Sequence, residues 1–159
     1  MRVGAGREGA KVRVDAGEAA TLVTLLTDLL AALQPDGLDA HDPVRQRLFP
    51  DGYRDDPASA RAFRDLTESS LGAERTERVR RCLAEVSALG DRPAQVVLDD
   101  EAGDRWLRVL ADLRLAVGTR LGVTEQTDFH DGDGPDAAAR SVYLWLTAVQ
   151  DALVRALMN

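Results

Sequence analysis

Cys82 is the residue most suited to covalent or redox chemistry, and it is the only cysteine of the chain. Arg78 lies one helical turn before it and Arg81 directly before it, and nearby guanidinium groups favour the reactive thiolate. The same position lies beside apolar Val79 and Leu83, where burial would raise the thiol pKa. We interpret Cys82 as a packed structural cysteine, with a redox sensor or an intermolecular disulfide as the alternatives.

Catalysis by a nucleophile or by paired carboxylates finds little support. The two histidines, His41 and His130, both lie in Asp-rich segments, and no triad of nucleophile, base and orienting acid stands out. The pairs Asp55–Asp56 and Asp99–Asp100 precede helical patterns, where negative charge favours a helix N-terminus. We therefore predict that the protein is not an enzyme and has no catalytic residues.

Two further patterns resemble ligand sites. Residues 128–136 (DFHDGDGPD) place oxygen ligands at alternate positions, but the EF-hand spacing fails because position 142 is Val and no Glu closes the loop. Residues 4–9 spell G-x-G-x-x-G, yet only three residues precede them and a strand-like segment follows, whereas a dinucleotide-binding turn joins a strand to a helix. We predict no metal, no cofactor and a flexible N-terminus over 1–10.

The composition of the chain limits the remaining classes of function. The net charge of −7 argues against direct nucleic-acid binding, and a single cysteine favours a cytoplasmic location. The apolar run over 19–33 resembles a signal segment, but Asp28 interrupts it and it is too short to span a bilayer. We expect no membrane association and a single domain over 11–159.

The hydrophobic periodicity predicts a mainly α fold, a bundle of about five to six helices with a possible minor two-stranded sheet. Asp15 and Glu18 have capping-box spacing before the first helix. Gly72 could break the helix that begins at Pro57. The other expected segments are strands at 11–14 and 96–98, one helical turn at 43–48, and helices over 73–89, 99–121 and 137–157.

Four arginines near Cys82 form a basic cluster. It contains Arg75, Arg78, Arg80 and Arg81, with Glu74, Glu77 and Glu85 interleaved. Because opposite charges at helical spacing compensate one another, we interpret the cluster as a solvated face. The alternative is a patch for an acidic protein partner.

Two stretches carry the most specific patterns, DPVRQRLFPD at 42–51 and WLRVLADLRLAVGTRLG at 106–122. Trp106 begins an apolar series at helical spacing, which predicts a core position. Asp112, Arg114 and Arg120 are expected to form partly buried ion pairs with the connector over 42–56, which contains Arg47. Alternatively, these five residues form a surface that docks a partner.

The order of these motifs, with FRDLT at 63–67 and YLWLTAVQ at 143–150, resembles an actinobacterial oxidative-stress regulator family, formerly a domain of unknown function. The resemblance extends from about Asp15 to Leu157. It implies a cytoplasmic regulator that acts through the transcription machinery in response to oxidants. A thiol switch would most naturally use two cysteines on neighbouring turns, but Val86 lies one turn after Cys82.

These observations predict a non-enzymatic regulator that binds another protein, with a sigma factor or RNA polymerase as the expected partner. The alternative is a redox-independent adaptor or accessory protein in proteolysis or another housekeeping assembly. A homo-oligomer is also compatible with the short apolar helices and the small sheet.

Overall fold

The computed structural model describes residues 1–34, 36–39, 41–49, 57–124 and 136–158. Three strands and five helices lie within these ranges, so the predicted mainly α class is confirmed. The strands are Arg2–Gly6 (β1), Gly9–Val14 (β2) and Ala94–Leu98 (β3). The helices are Ala16–Ala32 (α1), Pro43–Leu48 (α2), Pro57–Ser87 (α3), Asp100–Arg120 (α4) and Ala137–Leu157 (α5).

The sheet is antiparallel with the order β1-β2-β3. The expected pairing of 11–14 with the strand near 96–98 is confirmed, but the sheet has three strands rather than two. The prediction of a flexible N-terminus over 1–10 is wrong, because a turn at Arg7 and Glu8 joins β1 to β2 as a hairpin. β1 has the sequence RVGAG, in which Val3 is the only strongly apolar residue, so the alternation that signals a strand is weak.

Gly9 shows why the hairpin needs a glycine after its turn. Its φ is +129°, a backbone conformation that residues with a Cβ rarely adopt. A Cβ at this position would also lie 2.0 Å from the carbonyl oxygen of Leu98. The third glycine of the G-x-G-x-x-G pattern therefore serves the close approach of β2 to β3 rather than a phosphate.

The start of α1 confirms the predicted capping box. The Asp15 side chain accepts a hydrogen bond from the Glu18 amide at 2.9 Å, and Glu18 accepts one from the Asp15 amide at 3.0 Å. Glu18 also forms an ion pair with the amino terminus of Met1. These contacts connect the first helix to the start of the hairpin.

The predicted break at Gly72 is wrong, because α3 is continuous through this position. A glycine inside a helix costs about 1 kcal/mol relative to alanine, so packing of the helix can offset it. Gly72 is buried, and a Cβ there would lie 3.6 Å from the Phe49 ring. α3 thus passes the end of α2 without interruption.

α4 is the central helix, since it contacts every other helix as well as β2 and β3. Its buried Val109, Leu110 and Leu113 meet the inward residues of the sheet and of the other helices. The inward sheet positions include Val12 and Leu98. Within the described ranges, no helix is long and apolar enough to cross a membrane.

Candidate functional site

Asp112 is the buried charge of α4, and its partner comes from α3. The Arg75 Nε atom lies 3.1 Å from the Asp112 Oδ2 atom. Burial raises the pKa of the Asp112 carboxyl, while Arg75 and Arg78 act in the opposite direction and do not fully compensate. Among the described residues Asp112 thus pairs with the basic cluster of α3 and not with residues 42–49 of the connector. Residues 50–56, the rest of the connector with which a pair was expected, lie outside the described ranges.

Arg75 also contacts the end of α2. It donates a hydrogen bond to the carbonyl oxygen of Leu48, and its guanidinium carbon lies 5.5 Å from the centre of the Phe49 ring. The interpretation of the basic cluster as a solvated face is wrong for Arg75, whose side chain is only 24% exposed. One arginine thus joins α2, α3 and α4.

Arg114, two residues after Asp112 on α4, contacts α5. Its Nη1 donates a hydrogen bond to Gln150 Oε1 at 2.6 Å, and its guanidinium carbon lies 5.6 Å from the centre of the Tyr143 ring. The Nε of Arg114 is buried and has no hydrogen-bond partner. The Nε atoms of Arg75, Arg78 and Arg105 are in the same condition among the described residues, so this feature does not set Arg114 apart.

Arg120 forms the connector ion pair that the sequence predicted. Its Nη2 donates to Asp42 Oδ2 at 2.9 Å, while Asp42 Oδ1 accepts from the Val44 amide at 2.8 Å. Partial desolvation alone would raise the pKa of Asp42, but the Val44 amide and Arg120 together lower it. Asp42 consequently caps α2 and ties it to the end of α4.

A surface groove of about 470 Å³ lies beside these contacts, between α2, α4 and α5. Arg47 and Arg114 border it, and Gly118 and Tyr143 contribute to its lining. Arg47 is exposed and makes no ion pair or hydrogen bond with the described residues. Among the described residues, Arg47 is thus a guanidinium at the groove that has no ion-pair or hydrogen-bond partner.

Gly118 allows the groove to form. A Cβ at this position would lie 2.9 Å from Tyr143 Cε2, a distance that real Cβ contacts essentially never show. The absence of a side chain at Gly118 therefore permits the close approach of α5 to α4. Tyr143 in turn holds the guanidinium of Arg114 over its ring.

Trp106 and Cys82 lie near the other end of α4. Trp106 is 5% exposed, and its Nε1 donates to Glu85 Oε2 at 2.7 Å. The other oxygen of Glu85 accepts from Arg105 Nη2 at 2.5 Å. Cys82 is 0% exposed, in agreement with a packed structural cysteine.

Burial raises the pKa of the Cys82 thiol to about 12, and Glu85 adds to this rise while Arg105 opposes it. The neighbouring arginines therefore do not make the thiolate available at neutral pH. This environment argues against Cys82 as a redox sensor in the folded protein.

The structure brings Arg47, Arg114 and Arg120 to the C-terminal half of α4. At about 1.5 Å per residue, Trp106 lies roughly 12 Å from Arg114 and roughly 21 Å from Arg120 along the helix axis. The sequence reasoning missed Arg75, Glu85 and Tyr143 as contact residues. Tyr143 and Gln150 do belong to the YLWLTAVQ motif, which was the available signal. Glu85 had no such signal beyond its place in the interleaved cluster.

No metal-binding group of three or more His, Cys, Asp or Glu side chains occurs in the described ranges. The candidate metal loop over 128–136 and the pair Asp55–Asp56 lie outside them, except for Asp136, which precedes α5. The arrangement around the groove can bind anionic groups through guanidinium donors. It offers no nucleophile paired with a base.

The chain was compared with known proteins. The sequence model of the family described as Domain of unknown function (DUF2017) matches residues 1–157. The proteins named Oxidative stress regulator AosR from Mycobacterium bovis and Mycobacterium tuberculosis are each 32% identical over 132 residues, which cover 74% of this chain. A relative from Mycobacterium leprae is 30% identical over 128 residues.

The chain spans 59% of the length of these relatives. No solved structure matches it. The resemblance to an actinobacterial oxidative-stress regulator family, which the motifs at 42–51 and 106–122 indicated, is confirmed. The chain belongs to the family described as Domain of unknown function (DUF2017), whose sequence model covers it almost from end to end.

Proposed function

We propose that this protein is a non-enzymatic, cytoplasmic regulator that binds another protein through the groove between α2, α4 and α5. The partner is a sigma factor or an RNA polymerase subunit, and the setting is the response to oxidants. The mycobacterial relatives named as oxidative stress regulators support the regulatory role. The unpaired guanidinium of Arg47 at the groove carries the proposal of a binding surface.

The groove suits a protein partner for two physical reasons. Arg is enriched in protein interfaces because its planar guanidinium donates several hydrogen bonds and stacks on aromatic rings. Tyr143 gives Arg114 such a ring, and Gln150 holds the guanidinium in place. A side chain that is already oriented loses less entropy on binding.

The test is an affinity capture from the lysate of the source bacterium, with and without peroxide, read by mass spectrometry. We expect a sigma factor or a polymerase subunit to be enriched. The variant Arg47→Glu should lower this enrichment about tenfold, because it reverses a charge at the groove. The matched control is Arg80→Glu, which reverses an exposed charge on α3.

An equal loss in both variants would assign the effect to net charge and contradict the groove as the site. Enrichment of protease components instead would favour the alternative, a redox-independent adaptor. The burial of Cys82 is the observation that favours this alternative. If the protein acts without a thiol switch, Cys82→Ser should leave any peroxide dependence unchanged.

A further inference from the structure

The outer face of the sheet carries unpaired positive charge. The register places Arg2 opposite Arg13, with Gln95 next to it, and Lys11 next to Val97. All of these side chains are exposed, and Val97 is 47% exposed. The alternate positions of β2 and β3 point into the core, so the helices lie on the opposite face.

The charges of this face have no counter-ions. Arg2, Lys11 and Arg13, with Arg7 in the turn, form no ion pair or side-chain hydrogen bond with the described residues. Glu8 is the only carboxylate residue among the first fourteen residues. A chain with a net charge of −7 thus concentrates four cations on one exposed hairpin.

The arrangement is unfavourable for the folded protein alone. Like charges directly opposite each other on neighbouring strands destabilise a sheet, and Arg2 and Arg13 are such a pair. An anionic group bound between the side chains of Arg2 and Arg13 would remove this repulsion. The face therefore has the electrostatic character of a binding surface rather than of a solvated surface with compensated charges.

The first two glycines of the G-x-G-x-x-G pattern shape the same face. The space beside Gly4 is open, with no atom within 4 Å of a Cβ built there. At Gly6 a Cβ would lie 2.8 Å from the carbonyl oxygen of Gly9 and 2.9 Å from Lys11 Cε, so the hairpin leaves no room for a side chain there. β1 thus exposes a strip of backbone beside the lysine.

We infer that this basic sheet face, formed by Arg2, Lys11, Arg13 and the neighbouring Val97, binds a carboxylate-rich segment of another protein. Opposite charge steers and orients such a segment. The exposed side chain of Val97 offers apolar contact. Nucleic acid fits less well, because the face has no aromatic side chain for stacking on bases.

The experiment uses the full chain and a fluorescein-labelled peptide rich in Glu and Asp, with binding followed by fluorescence anisotropy at low ionic strength. We expect saturable binding that weakens with added salt. The double variant Lys11→Glu/Arg13→Glu should weaken binding about tenfold. The charge-matched control is Arg80→Glu/Arg92→Glu, at two exposed positions on other parts of the surface, and it should bind almost as the native protein does.

Loss of folding does not explain the expected result. Arg13→Glu replaces a repulsive cross-strand pair by an attractive one, so the double variant should melt at the native temperature or above it. No binding, an equal loss in both double variants, or tighter binding of a labelled DNA of equal charge would overturn the inference. Because the groove residues are unchanged in these variants, the outcome is independent of the proposed function.

Discussion

The two ends of α4 use the same residue types in different ways. Near its N-terminus, Arg105 and Trp106 both donate to Glu85, and Cys82 is buried beside them. Near its C-terminus, Arg114 and Arg120 each have one partner, but the groove beside them also contains the unpaired Arg47. We call the first the closed end and the second the open end.

The difference separates structural from binding chemistry. At the closed end, both oxygens of Glu85 serve donors within the fold, so the contact specifies how α3 packs on α4. At the open end, Arg47 is exposed and makes no ion pair or hydrogen bond with the described residues, so its guanidinium remains for an external acceptor. Arginine therefore does not by itself indicate a binding site, and the supply of internal acceptors decides its role.

The closed end should resist thiol reagents, which is the largest effect that the comparison predicts. Because Cys82 is fully buried and its pKa is raised to about 12, labelling requires an opening of the fold. We expect the native protein to react at least about 10³ times more slowly than the denatured protein at the same pH. The measurement is the labelling rate with and without denaturant.

Rapid labelling of native Cys82 would show that the closed end opens locally. In that case the alternative of a redox sensor would return. The distinction between the closed end and the open end would then be wrong for Cys82.

Truncation at the closed end should destabilise the protein strongly. Trp106→Ala removes a buried ring and leaves Glu85 without one donor, so we expect the free energy of unfolding to fall by about 3–4 kcal/mol. Trp106→Phe keeps most of the volume and loses only the hydrogen bond, with an expected loss of about 1 kcal/mol. Urea denaturation followed by circular dichroism measures both. Equal losses would assign the effect to the hydrogen bond rather than to packing.

Asp112 lies between the two ends of α4 and tests whether burial or the ion pair with Arg75 has the larger effect on its pKa. Its pKa is raised by burial, so the folded state binds its proton more tightly than the unfolded state. Its contribution to stability is complete below the unfolded pKa and is lost as pH rises through the folded pKa. Asp112→Asn cannot titrate, and its stability relative to the native protein should rise from acidic to neutral pH.

The check is a series of urea denaturations of both proteins across that pH range. A relative stability that falls with pH would show that the ion pair with Arg75 outweighs burial. The pKa of Asp112 would then be lowered rather than raised.

The smallest effect is expected at the open end. Arg120→Ala removes an ion pair in which the Arg120 side chain is 57% exposed, so the loss of unfolding free energy should stay below about 1 kcal/mol and should shrink with salt. Asp42→Ala should lose somewhat more, because it also removes the cap of α2. A loss at Arg120 as large as that of Trp106→Ala would contradict the distinction between the two ends.

The sequence predicted helix boundaries well where neighbouring residues in the chain determine them. Asp15 with Glu18 and Asp99 with Asp100 mark helix starts through side-chain caps and charge, and the predicted last helix over 137–157 coincides with α5. The errors came from contacts distant in sequence. β1 is held by its pairing with β2, and α3 continues through Gly72 in a packed position.

The candidate site was predictable only in part, for the same reason. The sequence singled out Arg47, Asp112, Arg114 and Arg120 from their motifs, and the pair of Arg120 with Asp42 is confirmed. It did not single out the pair of Asp112 with Arg75, because Arg75 lies 37 positions away in the printed sequence and on a different helix. Helical spacing cannot tell which face of α3 meets α4.

The sequence by itself determined the helical class, the caps, the family and the set of arginines from which a binding surface could be built. Each of these depends on residue type and spacing along the chain. Only the tertiary structure decided which basic side chains are neutralised within the fold. Among the described residues, Arg47 and the sheet residues Arg2, Lys11 and Arg13 are not neutralised and remain available. That outcome depends on which carboxylates and amides from other elements come within hydrogen-bond distance, and spacing along the chain does not specify it.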